Sequence, residues 1–230
     1  MLGTGLFAPI YRRLVTAQQR LVTARELVQG AIQAAKDDLD MRQRIAVVGN
    51  GTVHPQHGGL IDQHGTVIRF NSCWHYGQTG RRTDILVLNN TGGGGKHITY
   101  ASDAINLQAF ASARKFWLVT APQIASARGD EDFTDAMIER RVSGRPWRYI
   151  RARSYWSAKD ALDTYGAAVD SRPSSGVLVL FQIMNSPSLW RPITLFGFSH
   201  EGWEGHAWDA ERALVDDWRG WCALTRATPR

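Results

Sequence analysis

Two short apolar runs, each ending near an asparagine, constrain the fold of this chain most. The first begins at Ile45 and leads into Gly49-Asn50-Gly51, and the second, Thr66–Phe70, leads directly into Asn71. Such runs are typical of strands buried on both faces of a parallel sheet. Ligands of an open α/β sheet bind at the carboxyl ends of its strands. The pattern therefore predicts that the two asparagines share one crevice.

The rest of the chain continues the alternation of strands and helices. Buried strands are predicted at Asp84–Leu88, Lys115–Thr120 and Pro192–Phe196, with an edge strand at Trp147–Arg153. Helices are predicted at Ser102–Ala113, Phe133–Val142 and Ser157–Ala168, and a flexible loop at residues 89–95. That loop is either a solvated connector or a lid over a ligand. Alternating elements predict a single Rossmann-like α/β domain, with a mostly parallel central sheet flanked by helices.

Size and charge narrow the classes of partner. A chain of 230 residues is large enough for one domain with a full core. Its 27 basic and 21 acidic side chains give a net charge of +6, which favours anionic partners such as nucleotide sugars, acidic glycans or anionic lipid. No basic run is interleaved with aromatic residues, so nucleic acid is not predicted as a partner.

The Gly-Asn-Gly turn fits neither of two common phosphate-binding motifs. A dinucleotide-binding turn would need glycine where His54 stands and an acidic residue near Asn71. A P-loop would need serine or threonine after its lysine, whereas Lys96 precedes His97. From the residues alone, the turn is either a structural connection or a binding turn of another kind.

Three motifs together carry a resemblance to a known family. VVGNG, then Gly-x-x-Ile-Asp, VIRFN and Tyr-Gly-x-x-x-Gly-x-x-Thr-Asp resemble the large sialylmotif of the eukaryotic-type sialyltransferases, glycosyltransferase family 29. Pro173-Ser174-Ser175-Gly176, followed by VLVLFQIM and ITLFGF, resembles the small sialylmotif. His206 with Glu211 five residues later is similar to the very small motif. The resemblance spans Ile45 to Trp218.

The resemblance implies a GT-A-like variant of the Rossmann-like fold and an inverting glycosyltransferase. Such an enzyme moves sialic acid, or a related ulosonic acid such as Kdo, from a CMP-sugar donor to a hydroxyl of a glycan or glycolipid. No cofactor is implied beyond that donor. No metal site is predicted either, since the sequence has no Asp-x-Asp with neighbouring carboxylates and no zinc-type spacing.

Under this interpretation His206 is the catalytic general base. An imidazole with a free pKa of about 6.5 is neutral near pH 7 and accepts a proton from an attacking hydroxyl. Asp209 is expected to orient the ring, and Glu211 to tie the start of a helix to neighbouring backbone.

The resemblance also implies a set of residues that bind the donor. Asn50 and Asn71 would contact phosphate and ribose through their amides, and Arg172 would add a charged phosphate contact. The serines before an apolar helix would contact ribose and the sugar carboxylate, and also cap that helix. The complete predicted set is Gly49, Asn50, Gly51, Thr52, Asn71, Arg172, Ser174, Ser175, Gly176, Phe198, Ser199 and His200.

The residues before the first strand are predicted to form a separate extension, which divides the chain into residues 1–44 and a catalytic domain at 45–230. Tyr11 to Asp40 has helical periodicity with several arginines, so it either packs on the domain or a second copy, or lies on a membrane surface. The first ten residues are too short and too broken by Gly and Pro to cross a bilayer.

Cysteine usage bears on location. The chain has only Cys73 and Cys222, expected to be unpaired, and it lacks cysteines at Ile45 and about Trp190, where family members commonly form a disulfide. A cytoplasmic location, with or without peripheral membrane contact, is therefore expected. Two other functions stay open: a nucleotide-binding module without catalysis, and a peripheral membrane or scaffold protein.

Overall fold

The structure is a computed structural model that describes residues 43–101, 103, 105–186, 191–221 and 224–227. The predictions for the N-terminal helical extension, and those for Trp190 and Cys222, lie outside the described residues. The proposed division of the chain after residue 44 stays a prediction for the same reason.

A seven-stranded sheet forms the centre of the described residues. Its order is β5-β4-β3-β2-β1-β6-β7, and all six neighbouring pairs run parallel. The strands are β1 (Ile45–Val48), β2 (Thr66–Phe70), β3 (Ile85–Leu88), β4 (Lys115–Leu118), β5 (Trp147–Tyr149), β6 (Ile193–Phe196) and β7 (Leu224–Arg226). The predicted α/β class with a parallel sheet is confirmed.

Helices connect the successive strands except β2 and β3, which are joined by residues 71–84 without a helix. They are α1 (His57–Gln63), α2 (Gly92–Tyr100), α3 (Leu107–Ser112), α4 (Pro122–Arg128), α5 (Thr134–Met137) with a π-helical turn at Ile138–Val142, α6 (Ala152–Thr164), α7 (Ser175–Met184) and α8 (Trp208–Trp221). Parallel strands that are neighbours in a sheet need a connection that crosses over the sheet, and most of these connections contain a helix.

Apolar cores lie on both faces of the sheet, because successive strand residues point to opposite sides. On one face Val47 and Ile68 pack with α6, α7 and α8, and α7 is buried from Val177 to Ile183. On the other face Leu86 and Leu88 pack with residues of α2 and α3, while Val48 packs against α1. Strands β1 and β3 are buried at every position, which explains their uninterrupted apolar sequence.

Several predicted boundaries were wrong. A loop was predicted at residues 89–95, but α2 begins at Gly92. The glycines allow the first turn of α2 to pack closely against Asn89 and Asn90, which follow β3. An added Cβ would lie 2.7 Å from Asn89 Nδ2 at Gly94 and 2.6 Å from the Asn90 carbonyl carbon at Gly95. Helix α6 begins at Ala152 rather than Ser157, and β5 is shorter than predicted. Helices α1 and α4 and strand β7 were not predicted.

The strand order fixes where a ligand could bind. From β1 the chain adds β2 to β5 on one side, and then returns to place β6 and β7 on the other. The order reverses between β1 and β6, and in open α/β sheets such a reversal marks the ligand-binding crevice at the carboxyl edge.

Candidate ligand-binding cleft

A cavity of about 520 Å³ occupies this crevice, and we call it the switch-point cavity. Its lining includes eleven of the thirteen residues predicted for the site: Gly49, Asn50, Gly51, Asn71, Ser174, Ser175, Gly176, Phe198, Ser199, His200 and His206. The sheet thus brings together residues from both ends of the described chain. The volume lies in the range of small-molecule sites.

The glycines of the first turn serve loop packing. Gly49 N–H donates to the Phe196 carbonyl at 2.8 Å, and Gly51 N–H donates to the Gly197 carbonyl at 3.0 Å. A Cβ on Gly49 would lie 2.4 Å from the Gly197 oxygen, which is far inside van der Waals contact. Both N–H groups are therefore used between the two loops, and the role of Gly49 and Gly51 in binding a ligand stays a prediction.

The start of α7 is held by a buried carboxylate. Ser174 N–H donates to Glu211 Oε1 and Ser174 Oγ donates to Glu211 Oε2, both at 2.6 Å. Ser174 Oγ also accepts from Val177 N–H at 3.3 Å, as predicted for an N-cap. Burial raises the pKa of Glu211 to about 7, and the hydrogen bonds from Ser174 oppose that rise. Glu211 thereby ties α8 to the backbone at the start of α7.

The next two residues of α7 line the cavity with their backbone. Ser175 and Gly176 occupy the first turn, where N–H groups have no partner inside a helix. The ten-residue helix places the positive end of its dipole there, which favours an anion. Gly176 is required at this point, since a Cβ would lie 2.8 Å from the Phe198 ring.

His206 lies just before α8, with its ring near those of Trp203 and Trp208, both at a centroid distance of 4.9 Å. Its Nδ1 is 2.7 Å from the Arg172 carbonyl oxygen. A carbonyl only accepts, so Nδ1 carries the proton and Nε2 is an acceptor. Burial lowers the pKa of His206, which keeps the ring neutral at pH 7. The predicted orientation of the ring by Asp209 was wrong, because the Arg172 carbonyl orients it.

Asn71 presents its amide to the cavity from the end of β2. Its backbone is left-handed, with φ of 51°, and its Oδ1 accepts from Asn89 N–H at 2.9 Å. The bond to Oδ1 leaves the NH₂ group as the end that can serve a ligand. Asn50 lines the same cavity from the loop after β1. Phe70 and Phe198 form an aromatic wall beside them, with ring centroids 6.4 Å apart.

His200 closes the β6 side of the cavity as a neutral acceptor. Its Nε2 accepts from the Arg226 guanidinium at 2.7 Å. Burial, together with the charges of Arg226 and Arg212, lowers the pKa of His200 to about 4. The ring is therefore uncharged at pH 7 and serves the loop after β6 as a hydrogen-bond partner.

Two predicted residues line other cavities, which corrects their assignment to one site. Thr52 lines a separate cavity of about 320 Å³ beside His54 and His57. Arg172 lines a neighbouring cavity of about 470 Å³, together with Arg128 and the glycines that start α2. We call this second space the arginine cavity; it shares Asn71, Ser175 and His206 with the switch-point cavity.

Six lining residues of the switch-point cavity lie outside the predicted binding set: Phe70, Gly197, Glu201, Gly202, Trp208 and Glu211. Glu211 was predicted only to tie a helix start to backbone, and it does so through Ser174 N–H. The only local signal for Gly197 was its place directly after an apolar strand. The remaining residues come close through the strand order and the packing of α8.

Within the described residues, no group of three or more His, Cys, Asp or Glu side chains is placed to hold a metal ion. In the same part of the chain, every helix is too short or too polar to span a bilayer. Cys73 is buried and free, and burial raises its pKa to about 12.

The fold and the cleft define a Rossmann-like α/β protein with a ligand cavity at the point where the strand order reverses. No model of a known protein family matches the chain. The chain is 34% identical over 187 residues to the urease operon 23 kDa accessory protein of Rhizobium meliloti (strain 1021), an alignment that covers 75% of this chain and 87% of the relative. The chain belongs to the family of this accessory protein.

This relationship overturns the resemblance to sialyltransferases. The relative is described as an accessory protein of a urease operon, so the predicted CMP-sugar glycosyltransferase activity was wrong. The CMP-sugar donor, the glycan or glycolipid acceptor and the role of His206 as base for that acceptor were wrong with it.

The motif residues have structural roles in this fold, which explains the misleading resemblance. The glycines around Asn50 let two loops touch, and Ser174 caps α7. Glu211 joins the last two long helices. Residues with such roles do not report sugar transfer, since function depends on the site and not on the fold.

Proposed function

We propose that this chain is a nucleotide-binding accessory protein that serves the maturation of urease without catalysing glycosyl transfer. The observation that carries the proposal is the switch-point cavity, which is lined by the first turn of α7, where backbone N–H groups have no partner inside the helix. The open α/β sheet supports the choice of a nucleotide, because such sheets bind phosphorylated ligands at this position.

The lining offers a separate contact for each part of a nucleotide. The amides of Ser175 and Gly176 suit a phosphate at the positive end of α7. The Asn71 NH₂ group suits a phosphate or ribose oxygen, and His206 Nε2 accepts from a ribose hydroxyl. Phe198 and Trp208 supply aromatic surface on which a base can stack.

One feature favours binding without turnover. Both carboxylate oxygens of Glu211 accept hydrogen bonds from Ser174, which occupies this acid in holding two helices together. In this proposal His206, whose Nδ1 donates to the Arg172 carbonyl, acts as a hydrogen-bond acceptor through Nε2.

The link to urease rests on the relative. The Rhizobium protein is named for a urease operon and an accessory role, and it aligns with most of this chain. We extend that role to this chain, with the urease proteins as partners and the cytoplasm as its location. The burial of Cys73 as a free thiol agrees with a reducing compartment.

Calorimetry on the full chain tests the nucleotide. CMP, UMP, AMP, GMP, CDP and NAD are titrated separately, with cytidine as a control that lacks phosphate. We expect at least one nucleotide to bind and its nucleoside to bind at least tenfold more weakly, because the α7 amides contact the phosphate. Failure of every nucleotide to bind, or equal binding of nucleoside and nucleotide, would refute this part.

A genetic experiment tests the urease role. Deletion of the gene in a urease-positive host should lower urease activity while the amount of urease protein stays constant, and the wild-type gene should restore it. Rescue by a variant that cannot bind the nucleotide would show that binding is not needed for the role. Unchanged urease activity after deletion would contradict the role itself.

A further inference from the structure

The arginine cavity is strongly biased toward positive charge. Arg128 and Arg172 line it, and its lining within the described residues includes no aspartate or glutamate. Most of the other polar lining consists of Asn, Ser and Thr side chains and the glycines that begin α2. A concave surface with this lining favours an anionic ligand.

The two guanidinium groups share a single counter-charge. Asp130 Oδ2 is 2.5 Å from Arg128, and Asp130 Oδ1 is 3.2 Å from Arg172. The Asp130 side chain is only 9% exposed and lies outside the lining, so one carboxylate pairs with two cations that line the cavity. Arg128 Nε is buried with no hydrogen-bond partner among the described residues. Among these three side chains one unit of positive charge is left over.

Backbone donors at the start of α2 line the same cavity as the two guanidinium groups. Gly92 N–H donates to the Glu131 carbonyl, and Gly95 N–H donates to the Thr91 carbonyl. Gly93 and Gly94 between them sit in the first turn of a nine-residue helix, where N–H groups have no partner inside the helix. Both line the cavity.

Two more acidic side chains, Glu131 and Asp132, follow Asp130 in the sequence but lie outside the lining of the cavity. Asp132 uses Oδ1 to accept from the backbone and hydroxyl of Thr134, at 2.9 and 2.6 Å. Glu131 contributes its carbonyl to Gly92, and neither residue lines the cavity.

We propose that the arginine cavity is a second binding site, which takes the phosphate or carboxylate group of a ligand other than the nucleotide of the switch-point cavity. Arg172 and Arg128 bind the oxyanion from one side, and the Gly93 and Gly94 amides bind it from the other. Guanidinium groups suit oxyanions because they donate in a planar fork. Asn71, Ser175 and His206 separate the two ligands. This site does not depend on the identity of the nucleotide, or on its binding.

The experiment follows the glycine amides by NMR in the full chain labelled with ¹⁵N-glycine. Inorganic phosphate is titrated as the first probe, and sodium acetate is titrated separately as a carboxylate probe. Sodium chloride at equal ionic strength is the salt control. We expect saturable shifts of Gly93 and Gly94 with at least one of the two anions, and none with chloride. If neither anion produces a saturable shift, the proposal is overturned.

Variants tie the shifts to the cavity. Arg172→Gln should raise the apparent Kd for the anion at least tenfold, while Arg172→Lys, which keeps the charge, should recover part of the affinity. Arg114→Gln is the matched control, because Arg114 also shares one aspartate, Asp84, with a second arginine. Arg114 is exposed and lies outside the cavity. Equal weakening by Arg172→Gln and Arg114→Gln would contradict the proposal.

A competition separates this inference from the proposed function. The titration is repeated in the presence of a saturating mononucleotide identified by calorimetry. Unchanged anion affinity is expected for two sites, whereas displacement of the anion by the mononucleotide would show one shared site and overturn the inference. If no mononucleotide binds but the glycine shifts persist, the nucleotide proposal fails and the anion site stands.

Discussion

Ser174 and Glu211 are joined by two hydrogen bonds of 2.6 Å, one from the backbone N–H and one from the hydroxyl of the serine. The pair connects the first turn of α8 to the N-cap of α7, the helix whose start faces the switch-point cavity. A buried carboxylate therefore fixes the position of the amides that we propose bind phosphate.

The first prediction concerns the pH dependence of stability at this pair. Burial raises the pKa of Glu211 from its ordinary 4.5 to about 7 in the folded chain. The contribution of Glu211 to the free energy of unfolding is complete below pH 4.5. It is lost as pH rises toward 7, because Glu211 gives up its proton at a lower pH in the unfolded chain than in the folded chain. The loss is on the order of 3 kcal/mol. Denaturant titrations between pH 4 and 8 should show that Glu211→Gln lacks this decline, whereas Glu204→Gln, at an exposed site, retains it.

A second prediction concerns His200 and has the opposite sign. The pKa of His200 falls from 6.5 to about 4 on folding, so its contribution is complete above pH 6.5 and is lost as pH falls toward 4. His200→Gln keeps an acceptor for Arg226 but does not titrate. Between pH 6.5 and pH 4, the free energy of unfolding of the wild type should fall relative to that of this variant. His97→Gln, an exposed helical site, should show no such change.

A third prediction tests the packing of the two glycine loops. Gly49→Ala places a methyl group 2.4 Å from the Gly197 carbonyl oxygen and should lower the free energy of unfolding by about 1–3 kcal/mol. Gly59→Ala in α1 meets no atom within 4 Å and should raise it by about 0.5–1 kcal/mol. Urea denaturation measures both. Equal effects of the two substitutions would show that Gly49 is not under steric constraint.

A fourth prediction assigns the Asn71 NH₂ group to the nucleotide. Asn71→Asp keeps the acceptor for Asn89 N–H but replaces the donor with a carboxylate oxygen, which repels phosphate. Calorimetry should show at least a tenfold weaker Kd for the nucleotide. Asn106→Asp is the control, because it makes the same change at a helix N-cap whose Oδ1 accepts from Ala109 N–H. An unchanged Kd for Asn71→Asp would exclude this contact.

Local sequence was sufficient for the elements whose burial is uniform. Strand β2 has the predicted bounds, and β1 ends where the apolar run meets Gly49, because strands buried on both faces are predominantly apolar. The N-cap at Ser174 was also predicted, since a serine before an apolar helix start supplies a local acceptor. Helix α2 was not predicted, because its four glycines have low helix propensity; they pack closely against Asn89 and Asn90.

The sequence by itself determined that the chain forms a parallel α/β sheet and that Asn50 and Asn71 meet at one edge, because strand periodicity and strand ends are local properties. Only the tertiary structure decided which polar groups remain available to a ligand. The N–H groups of Gly49 and Gly51 donate to carbonyls at the end of β6, Glu211 accepts from Ser174, and Arg172 lines a second cavity. These contacts join segments far apart in the chain, so a local sequence motif cannot predict them.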